Sequence, residues 1–277
     1  MLKDVLRFVT TKYPFIQGRS KLTQAFSKYL ELENGTKVCF DNNLQIEINP
    51  KQFVSKEIFL FGIFEPLESA VFNSVIKPGM VVIDVGGNIG QYTLLAAKRV
   101  GASGCVHVFE PSFENCEIIR RNVELNGFSD RVVLHKMALA SEVKVGELVL
   151  TEDGGSNYIT TVNTSYDTQK TVEVKCVTLD HYFSVNNLHK IDVLKIDTEG
   201  ADFEVLRGAT NVLRKFGPVL FVEFAERVLK RFGTTPNDML SYLRSLSYKP
   251  YKFSKDGLKL LNENDDISNT NLYFSKS

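Results

Sequence analysis

The run Asp84-Val85-Gly86-Gly87-Asn88-Ile89-Gly90 holds the residue types that a nucleotide-binding turn needs. Glycines let a backbone turn sharply and approach a ligand closely. The free N–H groups of a helix that starts there suit a carboxylate or a phosphate. Twenty residues beyond Gly90 stands Glu110, where a carboxylate can take both hydroxyls of an adenosine ribose. The glycine spacing G-G-N-I-G-Q misses the dinucleotide fingerprint, and no Gly-Lys-Ser/Thr ending of a phosphate-binding loop occurs. Asp84 inside the turn would repel a pyrophosphate and would suit a positive amino group. S-adenosylmethionine has an adenosine, an ammonium, a carboxylate and no phosphate, so it is the expected cofactor. A nicotinamide-dependent oxidoreductase and a non-catalytic binding module are the alternative readings.

A second group of acids lies downstream: Asp197, Glu199 and Glu223. Acids that end parallel strands sit at the carboxyl edge of a sheet, where sites form in α/β folds. A carboxylate there can orient or deprotonate a hydroxyl acceptor. These three are the candidate catalytic residues. Three acids could also hold a divalent cation, but no fixed metal-ligand spacing accompanies them, so no metal is expected. His107, His135, His181 and His189 are given no role; His107 and His135 fall in strand patterns, and His181 follows Asp180, the expected cap of a helix.

These residues need elements to position them. Met80 to Val85, Cys105 to Phe109, Arg131 to His135, Ile191 to Asp197 and Val219 to Phe224 are short apolar runs, each followed or separated by helical patterns. Near-continuous apolar strands alternating with helices predict a parallel sheet covered on both faces. Thr235-Pro236-Asn237-Asp238 is a helix start, with cap, proline and first-turn acid in place. Tyr248 to Phe253, a turn at Lys255-Asp256-Gly257, and Asn271 to Phe274 read as antiparallel strands. Residues 143–177 interrupt the alternation with two strand patterns around Gly154-Gly155-Ser156-Asn157, a β-excursion whose tip is expected at the site. Tyr158 is the aromatic there that could close over a substrate, while Tyr92 is expected to help bury the cofactor.

Residues 1–79 read as an N-terminal cap before a binding domain at 80–277. Leu2, Val5, Leu6 and Val9 share one helical face, as do Leu22, Phe26, Tyr29 and Leu30. Ser20 is the expected cap of that second helix and Asn34-Gly35 its end. Both faces are expected to pack on the main domain. Residues 37–48 suggest a hairpin turning at Asp41-Asn42-Asn43, and Glu65-Pro66 opens a short helix.

Composition excludes other classes. Lys+Arg and Asp+Glu are 33 each among 277 residues, so there is no basic field to hold nucleic acid. No apolar run approaches the ~20 residues of a spanning helix. Cys39, Cys105, Cys116 and Cys176 form no CxxC pair and read as buried free thiols of a cytoplasmic protein.

Six segments together resemble the FkbM family within the class I S-adenosylmethionine-dependent methyltransferases: Phe64-Glu65-Pro66, Val82 to Leu94 (VIDVGGNIGQYTL), Val108-Phe109-Glu110-Pro111, Ile191 to Gly200 (IDVLKIDTEG), Phe203 to Ala209 (FEVLRGA) and Val222-Glu223. The resemblance runs from about Phe61 to the C-terminus. It implies a Rossmann-like α/β sheet of seven strands, the last antiparallel, flanked by helices. It implies that Asp84, Gly86, Asn88 and Gly90 line the methionine end of the cofactor with Thr93 nearby, that Glu110 holds the ribose, that Glu65 touches the cofactor, and that Met137-Ala138 lie near the adenine. It favours an oxygen acceptor on a small molecule or on a sugar of a glycoconjugate. Ala201-Asp202 departs from the polar residue the family often has after the Glu-Gly pair.

Overall fold

The computed structural model of the protein describes residues 2–12, 18–30, 32–41, 43–160 and 170–276. Asn42 of the expected turn and residues 161–169 of the excursion lie outside them. In chain order the strands are β1 (Thr36–Phe40), β2 (Leu44–Ile48), β3 (Val81–Val85), β4 (Cys105–Phe109), β5 (Val132–His135), β6 (Ala138–Leu139), β7 (Lys144–Leu150), β8 (Tyr158–Thr160), β9 (Lys170–Val177), β10 (Val193–Ile196), β11 (Val219–Ala225), β12 (Lys249–Ser254), β13 (Gly257–Leu260) and β14 (Asn269–Ser275).

The main sheet has the order β13-β12-β14-β11-β10-β3-β4-β5. The five strands read from apolar runs, β3, β4, β5, β10 and β11, pair in parallel. The last strand, β14, inserts antiparallel beside β11, with β12 beyond it. These are the seven expected strands, and the hairpin partner β13 adds an eighth at the edge. Chain order steps outward from β3 to β4 and β5, then returns to β10 on the other side of β3. The connections leaving β3 and β10 therefore diverge, and a crevice opens at their carboxyl ends.

Two apolar layers cover the sheet. One joins the sheet to the N-terminal section, so that Ile46, Ile58, Leu60 and Phe72 share a core with Leu94, Val106 and Ile119. The other packs Ile83, Leu194 and Leu220 against Leu179, Leu206 and Met239. Strands β6 to β9 form a separate four-stranded sheet in the order β6-β9-β7-β8.

The hairpin β1–β2 is fastened by two asparagines of the helix Phe113–Leu125 and its C-cap. Asn122 accepts from the Glu47 amide at 2.6 Å and donates to the Glu47 and Ile89 carbonyls; Asn126 treats Gln45 in the same way. Side-chain amides thus satisfy the exposed edge of β2.

Several local expectations need correcting. The second helix spans Arg19–Ser27 and is preceded by Gly18, not capped by Ser20, whose hydroxyl turns toward Glu57. It ends before Asn34-Gly35. The helix Leu2–Lys12 packs through Leu6 and Thr10, while Val5 and Val9 are 55% and 44% exposed, so its expected inward face is only partly used. Helix Phe53–Phe61 had no clear periodic signal because most of its residues are buried. Thr178, not Asp180, caps the helix Leu179–Val185; Asp180 instead accepts the Asn211 and Val212 amides at the start of another helix. Cys39 is exposed, and all four cysteines are free.

Among the described residues no single helix is long and apolar enough to cross a membrane. The bent pair Phe53–Phe61 and Pro66–Val75 passes on composition, yet its Ile58, Leu60 and Phe72 are fully buried in the core.

Candidate active site

The crevice holds a cavity lined by residues from nine separate stretches of chain. Its first wall is the turn after β3. Gly86 and Asn88 both have left-handed backbone, at φ 81° and 51°. Gly86 is required for a further reason: a Cβ there would stand 1.8 Å from the Asp197 carbonyl oxygen. Asn88 donates to the Gly155 carbonyl at 3.4 Å, and its Oδ1 is buried without a partner.

Glu110, just past β4, accepts the Asn88 amide at Oε2 and the Ser112 amide at Oε1, each at 2.9 Å. Burial raises its pKa to about 7 against the pull of these donors. The Asn115 side chain pulls on it as well, and a carboxylate's four acceptor positions exceed these three donors. Beyond it Phe109, Ala138, Leu139, Leu148 and Ile159 form an apolar slot.

The excursion closes this end. Asp153 accepts the amides of Gly155 and Ser156, and Asn157 accepts that of Thr151, which makes a compact turn. Asn115 holds that turn through the Gly154 carbonyl at 3.4 Å. Gly155 and Asn157 line the cavity; Tyr158 does not. Tyr158 is buried with the Arg231 guanidinium 3.9 Å from its ring centre.

The opposite end is acidic. Asp197, Glu199 and Glu223 come together there as expected, joined by Glu65. Glu65 accepts from the Tyr92 hydroxyl at 2.7 Å and from the Asn271 amide at 2.6 Å. Burial, then the Asp197 charge, raises its pKa to about 7. Glu199 sits at φ 56° and is pushed to about 7 by burial, Asp197 and Asp202. Glu223 is raised well above the usual carboxylate range by burial and then by Asp197, Asp202 and Glu199; its Oε2 is buried with no hydrogen-bond partner. Asp202, from the pair that departs from the family pattern, is buried and accepts the Thr198 and Gly200 amides, so it braces the loop carrying Glu199.

Behind this wall Lys195 is 5% exposed, 3.1 Å from Asp197 and 3.9 Å from Asp84, with its ammonium over the Tyr92 ring. Burial alone would lower its pKa; Asp197, Asp84 and Glu65 outweigh burial and hold it above the ordinary value.

Not every expected residue reaches the large cavity. Asp84 is fully buried, accepts from the Thr93 hydroxyl at 2.7 Å, and faces only a smaller adjoining pocket. Thr93 is a support for Asp84. Gly90 begins the helix Gln91–Val100 and faces Ile119. Met137 packs into the second core layer. Val54, Phe64, Asn115, Gly155, Asn157 and Thr198 line the cavity without having been singled out. For Gly155 and Asn157 the polar turn was the available signal; for the rest, tertiary packing alone brings them in. Among the described residues no group of three His, Cys, Asp or Glu side chains is arranged to hold a metal ion.

The profile of the FkbM methyltransferase domain matches residues 84–250. The chain belongs to the FkbM methyltransferase family. This FkbM-family protein is an S-adenosylmethionine-dependent methyltransferase with a class I, Rossmann-like fold. It is 27% identical over 197 residues to "Methyltransferase 1" of Beauveria bassiana, covering 62% of this chain and 74% of that one. Its fold is similar to an FkbM methyltransferase of Methylobacillus flagellatus KT (14% identity, 92% of this chain and 58% of that chain, TM-score 0.44). It is also similar to an O-methyltransferase of Bacillus cereus in complex with S-adenosylhomocysteine (12% identity, 98% and 96%, TM-score 0.45).

The cavity of this FkbM-family methyltransferase fits the cofactor. It combines an apolar slot, a ribose-type carboxylate, and polar atoms of Asn88 and Glu223 left without partners.

Proposed function

We propose that the chain methylates a hydroxyl oxygen of a small molecule or of a sugar in a glycoconjugate, with Glu223 as proton acceptor and Asp197 and Glu199 beside it. The observation behind this reading is the unpartnered, buried Oε2 of Glu223 at the acidic end of the cavity. Glu110 would hold the ribose, the slot at Ala138 the adenine, and Gly86, Asn88 and Glu65 the methionine end. Asp84, Thr93 and Gly90 support that wall from behind, and Met137 supports the slot. S-adenosylmethionine supplies the methyl group and a sulfonium positive charge.

The chain's own residues do the rest. The wall would hold the acceptor in line with the methyl group, and near-attack positioning at roughly 3–3.5 Å can supply much of such a rate. A carboxylate surrounded by other carboxylates holds its proton tightly. A positive charge brought into the cavity lowers that affinity and frees Oε2 to accept. The Asp153–Asn157 turn closes the Glu110 end of the cavity against water. The same proposal places the protein in the cytoplasm, a reading supported by its four free thiols and tested by cell fractionation.

The test uses S-adenosylmethionine with a deuterated methyl group and panels of sugars and hydroxylated small molecules. Mass spectrometry and NMR of the product should show a methyl ether. Glu223→Gln should lower turnover at least a hundredfold while S-adenosylhomocysteine still binds. A methyl on nitrogen or carbon, or full turnover in Glu223→Gln, refutes the reading.

A further inference from the structure

The whole chain is electrically balanced, with 33 basic and 33 acidic residues. The cavity is not. Glu65, Glu110, Asp197, Glu199 and Glu223 line it, and no Lys, Arg or His is among its described lining residues. Such a local surplus in a walled crevice is a strong field for a cation.

The charges can be accounted for in turn. Glu110 is committed to two backbone amides and to the ribose position. Lys195 lies behind the wall and answers Asp84 and Asp197. Arg231 stands outside the lining; its guanidinium rests on Tyr158 and its Nη1 donates to the Glu199 carbonyl at 3.5 Å, so its charge reaches the Glu199 carboxylate only through space. The cofactor brings one net positive charge. Glu65, Glu199 and Glu223 then still outnumber the cations available to them.

Position adds to charge. Glu223 Oε2 is sealed from solvent and accepts no hydrogen bond. A buried acceptor without a donor is costly, so a ligand donor belongs beside it. Glu65 is hydrogen-bonded by Tyr92 and Asn271; Lys195 acts on it through space but is paired with Asp197 and Asp84. An ammonium offers three donors and a compact charge, which suits several carboxylates at once.

We propose that the acceptor bears a protonated amine, seated among Glu65, Glu199 and Glu223 beside the hydroxyl that receives the methyl group. This rests on the methyl-transfer reading above and narrows its substrate to amino alcohols in the broad sense, amino sugars included. It excludes phosphorylated and carboxylated acceptors, which this wall would repel.

The test is calorimetric titration of the full-length protein saturated with S-adenosylhomocysteine. The probes are glucosamine, galactosamine and an aminocyclitol, each against its N-acetylated form, with glucose 6-phosphate as the anionic probe. At least one amine should bind tenfold or more tighter than its acetylated partner, and the phosphate should not bind. Glu199→Gln should cut that preference at least threefold while S-adenosylhomocysteine affinity stays within twofold. Acetylated forms that bind as well as the amines throughout, no preference for any amine, or binding of the phosphate each overturn the proposal. Failure to bind S-adenosylhomocysteine would overturn the cofactor placement as well, and so separates the two.

Discussion

The carbonyl oxygen of Asp197 occupies the space where a Cβ on Gly86 would lie, 1.8 Å away. The turn after β3 and the turn after β10 are thus in backbone contact at the switch point of the sheet. Gly86 also has φ 81°, a conformation other residues adopt only with strain. Gly86→Ala should therefore separate the two turns. Expected are a loss of at least about 2 kcal/mol in urea unfolding and a tenfold or larger loss of S-adenosylhomocysteine affinity. Unchanged unfolding and affinity would show that the turns can part freely.

Lys195 is the cation between Asp84 and Asp197, and all three are tied to the same end of the cavity. Removing one partner of a buried pair leaves an uncompensated charge and costs about 3–5 kcal/mol. Lys195→Met should lose stability on that scale. Combining it with Asp84→Asn should recover part of the loss, because one of the stranded carboxylates is then neutral. Double-variant unfolding curves that simply add would separate Lys195 from Asp84 energetically.

The central sheet was legible because its strands are short apolar runs with turn signals at their ends, a local property of the chain. The same holds for Gly86, Asn88 and Glu110, whose chemistry follows from their spacing on one strand–helix–strand unit, β3 to β4. Asp197, Glu199 and Glu223 could be grouped because strand ends converge on one edge. Val54, Phe64 and Asn115 could not. They reach the cavity only because the N-terminal section shares a core with the sheet and because helix Phe113–Leu125 lies under the Gly154 turn. Asp84 lies one layer behind the large cavity, because the pleat of β3 turns it toward Lys195 and toward Thr93 of the following helix. The face of helix Leu2–Lys12 was misjudged because periodicity identifies an apolar stripe without saying how much of it is covered.

His135 should make the fold sensitive to acid. It is held at 3.3 Å from His107 and 2.9 Å from the Tyr182 hydroxyl, stacked on Phe109. Burial, then the neighbouring His107, lowers its pKa to about 4. Above pH 6.5 the ring is neutral in both folded and unfolded chains. Below 6.5 the unfolded chain takes up a proton that the folded one refuses, so stability falls as pH drops from 6.5 toward 4, by at most about 3 kcal/mol. The raised carboxylates Glu65 and Glu199 act oppositely, losing stability as pH rises from about 4.5 to about 7. Comparing wild type with His135→Gln isolates the histidine: the difference in unfolding free energy should shrink steadily between pH 6.5 and 4.5. A difference independent of pH would mean that His135 titrates normally.

The acidic wall should also distinguish the cofactor from its product by pH. S-adenosylmethionine carries a sulfonium charge that S-adenosylhomocysteine lacks, while the rest of the two molecules is alike. Burial raises Glu65 and Glu199 to about 7 and Glu223 well above the usual carboxylate range. A cation in the cavity favours their ionised forms, so its binding releases protons and tightens as pH rises. From pH 6 to 8 the affinity for S-adenosylmethionine should rise relative to S-adenosylhomocysteine, by up to about tenfold per pH unit for each coupled proton. Calorimetry in two buffers of different ionisation enthalpy should record more protons released with S-adenosylmethionine than with S-adenosylhomocysteine. Glu199→Gln should flatten the pH trend and reduce the released protons. Parallel pH profiles for the two ligands would place the sulfonium away from Glu65, Glu199 and Glu223, and would remove the basis for giving those carboxylates the acceptor end of the site.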